Sequence, residues 1–262
     1  MPDESQSNAA TSDAARTDVF HYDGLTYWGP VGVATMESII DLLRLPATGR
    51  ALDIGCGKAE LLVRLAERFG SEAVGVDKSE AALAAATTAF AKRAPDARFE
   101  PMRRDVADLA FDDGSFDLVA WLGGPYLGEG SGQKDFTTTV SRLSRWLRPG
   151  GYLLLGHGFW SAPPPADYLA ATGIAAGEFG EHWQNIDVGE SAGLRSLYSC
   201  RSNRDEWDEF EGRILANVEH YAAAHPDAPD PQGRLEQRRS WHKAQQRWGR
   251  DAMGFGLYLF MS

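Results

Sequence analysis

A glycine-rich loop preceded by an aspartate is the clearest candidate for a binding site in this sequence. Residues 51–60 have the sequence ALDIGCGKAE, in which an apolar stretch runs into two glycines. Gly55 and Gly57 let the backbone turn tightly and approach a bound molecule closely, because neither residue has a Cβ. Asp53 ends the apolar stretch, and an acid at the end of a buried strand needs a partner. The spacing therefore predicts a ligand-binding loop with a carboxylate at its base.

Two more acids follow the next two apolar stretches of the chain. Asp77 ends the second stretch and is followed by Lys78, and Asp105 comes after the third. An acid in the position of Asp77 can hydrogen-bond the ribose hydroxyls of a nucleotide-like ligand. Each acid also has a purely structural interpretation, since Asp77 can cap the following helix and Asp105 can start a turn.

The charges around the loop separate two classes of ligand. A dinucleotide site of the Gly-x-Gly-x-x-Gly type holds a pyrophosphate, and Glu60 replaces its third glycine here. Asp53 and Glu60 place negative charge where that pyrophosphate would lie, which is unfavourable for NAD. A ligand with cationic groups and no phosphate is complementary to the same loop. An NAD-dependent oxidoreductase stays as the alternative.

Two histidines are candidates for a general base. His157 lies between Gly156 and Gly158, just past the fifth predicted strand, and the ordinary pKa of imidazole suits proton removal near neutral pH. The alternative is a histidine that hydrogen-bonds a neighbouring loop and only shapes the pocket. His21 is the competing candidate, because an amino-terminal segment can fold over the same opening.

The elements that must position these residues follow a regular alternation of strand and helix. We predict strands at residues 50–54, 72–76, 98–102, 116–122 and 152–155, and helices at 33–45, 61–69, 79–93 and 137–147. Two further strands are predicted at 194–200 and 254–260. This alternation is typical of a doubly wound, Rossmann-like α/β fold with a mostly parallel seven-stranded sheet and helices on both faces. Ligands of such folds bind at the carboxyl ends of the strands.

The chain divides into five predicted regions. The region at 191–262 contains a helical stripe that is interpreted as core and consists of Trp207, Phe210, Ile214, Val218 and Tyr221. The regions are a disordered tail at 1–18, an amino-terminal helical cap at 19–48, a binding core at 49–160, a loop-like, aromatic lid insertion at 161–190, and a carboxy-terminal completion of the sheet at 191–262.

Together these motifs resemble the class I S-adenosylmethionine-dependent methyltransferase family. Asp53-x-Gly55-x-Gly57 resembles its glycine-rich first motif, although Ala59 stands where many members have a third glycine. Asp77 matches the acid that takes the ribose hydroxyls, and Asp105 with Val106 resembles the pair that contacts the adenine. Residues 115–119 (SFDLV) and 147–151 (LRPGG) resemble the family's fourth strand and the turn before its fifth. The resemblance covers about residues 49–157.

The resemblance implies an enzyme that uses S-adenosylmethionine and releases S-adenosylhomocysteine. The ammonium and sulfonium of this cofactor are cationic, which agrees with the carboxylates around the loop. We predict that the cofactor is bound by Asp53, Gly55, Cys56, Gly57, Asp77, Lys78, Asp105, Val106 and Trp121, with Cys56 as a small packing residue. A non-catalytic module that binds the same cofactor is the second alternative.

The segment after the fourth strand favours a small-molecule acceptor. Methyltransferases that act on amino groups of DNA have Asp- or Asn-Pro-Pro-Tyr there, and this chain has Gly123-Gly124-Pro125-Tyr126, so the polar acceptor is missing. A net charge of −11 also disfavours nucleic acid. We expect methylation of an O or N atom of a small molecule. The predicted acceptor-binding residues are Tyr22, Tyr27, Trp28, Tyr126, Phe159, Trp160 and Tyr168, of which Tyr126 can instead simply cover the sheet edge.

Composition excludes several other classes. The two cysteines, Cys56 and Cys200, have no metal-type spacing, so neither a metal site nor a disulfide framework is expected. The sequence contains no apolar run long enough to span a membrane and no signal-peptide pattern, so we expect no membrane partner and a cytoplasmic location.

Overall fold

A seven-stranded sheet lies at the centre of the computed structural model, which describes residues 19–128, 130–226 and 233–262. The predicted tail at 1–18 lies outside the described residues. The strands are β1 Arg50–Ile54, β2 Glu72–Asp77, β3 Phe99–Arg103, β4 Phe116–Leu122, β5 Leu147–Trp160, β6 Arg195–Arg201 and β7 Met253–Met261. Their order is β3-β2-β1-β4-β5-β7-β6, and β7 is antiparallel to both neighbours while the other pairs are parallel. The predicted α/β class and mostly parallel seven-stranded sheet are confirmed.

Helices cover both faces of the sheet because its central strands are apolar on both sides. In β1, Ala51 packs into one core cluster and Leu52 into the other, as expected when successive side chains point to opposite faces. The helices α1 Val33–Ile40, α2 Glu60–Phe69 and α3 Glu80–Arg93 supply the first cluster, and α4 Gln133–Arg145 packs into the second.

Local capping signals set the helix ends that the sequence predicts. Ser79 is the N-cap of α3 and accepts a hydrogen bond from the Ala82 amide, and α2 ends at Gly70, whose φ is +70°. The predicted helix at 33–45 is shorter, Val33–Ile40. Strand β5 is much longer than predicted, because its residues 152–160 pair continuously with β7.

The inserted region at 161–190 is more regular than its loop-like sequence indicated. It contains α5 Ala166–Thr172 and α6 His182–Ser191. Helix α6 packs on the sheet, where Gly189 lies so close to Phe260 of β7 that a Cβ would be 2.3 Å from its ring. The missing side chain therefore permits close helix–sheet contact, and α6 is a layer of the core. The interpretation of residues 161–190 as one loop-like lid is corrected accordingly.

A second insertion, between β6 and β7, contains α7 Arg204–Ala224, α8 Arg234–Ala244 and a π-helix at Gln245–Gly249. Helix α7 holds the amino-terminal segment, since Phe20 stacks on Tyr221 at 4.3 Å between ring centroids. Glu206 accepts hydrogen bonds from the Gly32 amide and the Thr35 hydroxyl. Tyr221, predicted to be core, thus anchors the amino-terminal cap. None of the helices in the described ranges is long and apolar enough to cross a bilayer.

Candidate active site

The loop after β1 is tied to β2 by its backbone. The amides of Gly55 and Cys56 both donate to the Val76 carbonyl, at 2.8 and 3.0 Å. Gly55 and Gly57 have φ values of +74° and +53°, which favour glycine, and Ala59 adopts the same left-handed region at +59°. The two predicted glycines are therefore required by the turn itself, and Ala59 takes a conformation that is strained for a residue with a Cβ.

Asp77 organises the loop from the end of β2. Its carboxylate accepts hydrogen bonds from the Gly57 amide and from the Ser79 amide, both at 2.9 Å. Each carboxylate oxygen has a further lone pair available, so these bonds leave room for ligand hydroxyls. The cap of α3 is Ser79, so the interpretation of Asp77 as the helix cap is wrong. Asp77 instead ties the start of this segment to the glycine loop.

Asp53 is a buried acid that lacks a compensating group. It is 4% exposed, and no donor among the described residues hydrogen-bonds its carboxylate. Burial raises the pKa of the Asp53 carboxyl to about 7, and the charge of Asp77 adds to the rise. A cationic ligand group next to Asp53 would remove this penalty. The arrangement fits the ammonium of the predicted cofactor.

The negative charge of Glu60 is neutralised by ion pairs, so Glu60 does not add negative charge to the loop as the sequence predicted. Its two carboxylate oxygens form ion pairs with Arg64 and Arg93, each at 2.7 Å. The negative charge of the loop therefore comes from Asp53 and Asp77 and not from Glu60.

Amino-terminal aromatic residues cover this loop. Trp28 lies over Gly57, where a Cβ would come within 2.7 Å of the indole, and Tyr22 stacks on Trp28 with 4.7 Å between ring centroids. Tyr27 and Trp28 line a cavity of about 50 Å³ together with Asp53 and Cys56. Cavities that hold small-molecule ligands are typically ~300–1,000 Å³. In this conformation the cap leaves less space over the loop than such a ligand occupies.

The other predicted cofactor residues are less closely associated with this cavity. Asp105 is exposed and accepts a hydrogen bond from the Ala107 amide, which is the turn-starting role considered for it. Val106 is buried beside it, and Lys78 is exposed. Trp121 is 1% exposed within the core, and its indole donates to the Pro125 carbonyl. Trp121 packs in the same core cluster as Val106, and its contact with the cofactor stays a prediction.

His157 has the environment of a core residue. It is 3% exposed, it stacks on Phe136 with 3.9 Å between ring centroids, and its buried Nε2 has no hydrogen-bond partner in the described part of the chain. Burial lowers the pKa of its imidazole to about 3. The prediction of an accessible general base is corrected, since the flanking glycines accommodate Phe255 and Phe179 and do not open a path to solvent.

His21, the competing candidate, belongs to the cap. Its ring lies 4.0 Å from that of Tyr22, and its carbonyl accepts a hydrogen bond from Asn217 of α7. His21 therefore packs in the aromatic cap beside Tyr22, and its role as a base stays a prediction.

The predicted acceptor-binding aromatics separate into two groups. Tyr22, Tyr27 and Trp28 lie at the cofactor loop, and Tyr126 packs on Trp121 while its hydroxyl donates to Glu178. The second group, Phe159, Trp160 and Tyr168, is 2%, 8% and 0% exposed. Hydrogen bonds hold Trp160 to the Ala176 carbonyl and Tyr168 to Gln245. These three side chains pack the core, so their prediction as direct acceptor contacts is corrected.

Several residues that line this cavity were not among the predicted site residues, and two of them come from distant strands. Leu122 of β4 and Phe255 of β7 line it beside Asp53. Both are ordinary apolar strand residues, and no local signal distinguishes them, because their position depends on the pairing of distant strands.

Comparison with known proteins identifies the family of the chain. Residues 51–151 match the model of a methyltransferase domain family. The chain is 30% identical over 201 residues to 27-O-demethylrifamycin SV methyltransferase of Amycolatopsis mediterranei, which covers 72% of each chain. Its fold is similar to that of a SAM-dependent methyltransferase from Geobacter sulfurreducens in complex with S-adenosyl-L-homocysteine, with a TM-score of 0.82, 22% identity, and coverage of 94% of this chain and 97% of that one.

A second solved structure gives the same result. The SAM-dependent methyltransferase from Thiobacillus denitrificans has a TM-score of 0.79 at 21% identity, over 94% of this chain and 98% of that one. The glycine loop, the acids that surround it and these similarities converge, and the chain belongs to the class I S-adenosylmethionine-dependent methyltransferase family.

Proposed function

We propose that this enzyme transfers a methyl group from S-adenosylmethionine to an O or N atom of a small molecule. The observation that carries the proposal is Asp53, a carboxylate that is 4% exposed and uncompensated at the base of the glycine loop. A buried acid of this kind is unfavourable unless a cation occupies the site. NAD would bring a negatively charged pyrophosphate to this position in place of a cation, which is unfavourable beside a carboxylate.

The residues around the loop fit the cofactor by their chemistry. Asp53 would hold the ammonium, Asp77 would accept from the ribose hydroxyls, and Gly55 and Gly57 would let the backbone lie against the ligand. When bound, the cofactor supplies an electrophilic methyl group on a sulfonium. The protein's contribution is alignment and the exclusion of water, for which the stacked Tyr22 and Trp28 provide a cover.

A small-molecule acceptor is supported by charge and by the relatives. The net charge of −11 disfavours a nucleic-acid acceptor. Two of the similar proteins are named for small-molecule acceptors, 27-O-demethylrifamycin SV and 2-phytyl-1,4-naphtoquinone. These names describe the relatives, and they support the acceptor class proposed here without specifying the compound.

Calorimetry with three ligands tests the cofactor half of this proposal. S-adenosylmethionine and S-adenosylhomocysteine should bind, and NAD should not. Incubation with methyl-labelled cofactor and a metabolite extract then tests the acceptor half, with label expected in a small compound. NAD binding as tight as that of S-adenosylmethionine contradicts the proposal, and so does label found only in nucleic acid.

A further inference from the structure

A second and larger cavity lies at the same edge of the sheet, between the β6–β7 insertion and the ends of three strands. Its volume is about 390 Å³, within the ~300–1,000 Å³ typical of small-molecule sites. It is lined by the start of α7, by the π-helix and by the adjoining ends of β5, β6 and β7. The residues that line it include Ser202, Trp207, Glu211, Gln245 and Gly254.

Two polar groups that line this cavity have no partner within the described residues. The Ser202 hydroxyl belongs to a residue that is only 7% exposed, and its Oγ is buried without a hydrogen bond. The indole Nε1 of Trp207 is also buried without an acceptor. An unsatisfied buried donor costs about 1–3 kcal/mol, so a ligand oxygen placed here would recover that cost. The indole of Trp207 can only donate a hydrogen bond, so a ligand atom that bonds to it must be an acceptor.

The carboxylates that line the cavity are already compensated. Asp208 pairs with Arg250 and Asp251 with Arg204, each at 2.8 Å. Glu211, 3% exposed, pairs with Arg238 at 2.6 Å. The cavity therefore offers no unpaired acid to an ammonium group, in contrast to the cofactor loop with Asp53. The two cavities thus differ in the charge of the ligand that they favour.

The π-helix shapes the inner wall of the cavity. Gln245 is 3% exposed and accepts a hydrogen bond from the Tyr168 hydroxyl at 2.7 Å. Gly249 makes room for it, because a Cβ there would lie 2.0 Å from the Gln245 amide oxygen. Single π-helical turns of this kind occur frequently at functional sites.

Strand β7 contributes to both cavities. Gly254 lines the larger cavity and its neighbour Phe255 lines the smaller one. Burial raises the pKa of Tyr22, the charge of Arg238 lowers it, and those of Asp77 and Glu211 raise it. Tyr22 therefore lies within electrostatic reach of both the cofactor acid and the carboxylate of the larger cavity.

We propose that this cavity binds the methyl acceptor, and that the acceptor is a non-cationic molecule whose oxygen receives hydrogen bonds from Trp207 and Ser202. The proposal rests on the proposed methyltransferase function. It assigns acceptor recognition to the β6–β7 insertion, whereas the sequence predicted contacts from the amino-terminal aromatics, from Tyr126 and from the aromatics after β5.

Fluorine NMR with two matched probes tests the assignment. The protein is first saturated with S-adenosylhomocysteine, which occupies the cofactor loop, and is then titrated with 4-fluorobenzyl alcohol or 4-fluorobenzylammonium. The probes have the same size and differ in a neutral oxygen against a charged nitrogen. We expect the alcohol to bind more tightly than the ammonium.

Trp207→Phe and Ser202→Ala should each weaken binding of the alcohol by about two- to tenfold, since each removes one neutral hydrogen bond and retains packing. Trp183→Phe is the matched control, because this exposed indole donates to Glu181 outside the cavity. Equal affinity for the two probes, absence of alcohol binding, or a Trp207→Phe variant that binds like the control overturns the assignment. Failure of S-adenosylhomocysteine to bind instead contradicts the proposed function, so the two failures are distinguishable.

Discussion

The two cavities at the carboxyl edge of the sheet arise from different kinds of sequence. The smaller one is formed largely by a local motif, in which Asp53, Gly55 and Gly57 occur within five positions and Asp77 ends the next strand. The larger one is formed by an insertion between β6 and β7, from residues that are far apart in the chain. The cofactor can therefore be inferred from a motif, whereas acceptor recognition depends on the tertiary structure of the insertion.

The electrostatics of the two cavities differ in the same way. Asp53 is buried with no ion-pair partner in the described chain, while the acids of the larger cavity are each paired with an arginine. An uncompensated acid is unfavourable for the folded protein and favourable for a cationic ligand. The paired acids of the larger cavity therefore offer no free charge to a cation.

The largest expected effect is that of Asp53→Asn on cofactor binding. The substitution keeps the shape of the side chain and removes the charge that faces the ammonium. Loss of one partner of a buried ion pair costs about 3–5 kcal/mol, so affinity for S-adenosylmethionine should fall by roughly 10²–10³-fold. Calorimetry measures it, with exposed Asp96→Asn as the control. Equal affinities in the two variants would mean that Asp53 does not meet a cation.

The same variant should be more stable than the parent protein when no ligand is bound. Asp53 has a raised pKa of about 7 in the folded state, against an ordinary value of 3.8, so the folded protein binds the extra proton. Stability of the parent therefore falls as pH rises from about 4 to about 7, and Asp53→Asn lacks this fall. Above pH 7 we expect a gain of roughly 2–4 kcal/mol in the free energy of unfolding, since one pKa unit is about 1.4 kcal/mol.

Denaturant titrations across this pH range measure that gain. A variant whose stability follows the parent at every pH contradicts the burial cost assigned to Asp53.

A smaller loss of affinity is expected for Asp77→Ala. This carboxylate holds the Gly57 and Ser79 amides and is the expected partner of the ribose. A hydrogen bond to a charged group contributes about 1.5–3 kcal/mol, so cofactor affinity should fall by about ten- to a hundredfold. Asp77→Asn retains one oxygen for the loop and should lose less. If both variants bind the cofactor like the parent protein, the site has been placed on the wrong acid.

The smallest effect on turnover is expected for His157→Phe. The new ring can keep the stack on Phe136, and a buried imidazole with a pKa of about 3 does not act as a base near neutral pH. Turnover should stay within about threefold of the parent, against the ~10²–10⁴-fold contribution of a general base. A loss in that larger range, with the cofactor still bound, restores His157 to the mechanism.

The variant should also change acid stability. The folded pKa of His157 lies below its ordinary value, so the parent loses stability as pH falls from about 6.5 towards 3, and His157→Phe should lose less.

The strands and the cofactor motif could be predicted because their signals are local. The bounds of β1 and β4 follow from apolar runs that end at polar or glycine residues, and Ser79 and Gly70 mark helix ends. Periodicity does not say which sheet face a residue near a strand end will occupy, and the interpretation of His157 as an accessible base is wrong for that reason. The ion pairs of Glu60 with Arg64 and Arg93 depend on the packing of α2 against α3.

The larger cavity could not be predicted for a related reason. Trp207 lies on an amphipathic stripe that is interpreted as core, and the stripe does not show that this residue lines a cavity or that its buried indole nitrogen lacks a partner among the described residues. The sequence around Ser202 does not indicate a cavity, because the lack of a hydrogen-bond partner for its hydroxyl depends on how β6, β7 and α7 pack together.

Proton release on cofactor binding tests the central claim most directly. At about pH 6, an Asp53 carboxyl with a pKa of about 7 is mostly protonated, and an arriving cation lowers that pKa, so binding of S-adenosylmethionine must release the proton. Calorimetry in buffers of different ionisation enthalpy counts the protons. We predict release of nearly one proton by the parent protein and none by Asp53→Asn. Binding by the parent protein without proton release would contradict the pairing of Asp53 with a cationic cofactor.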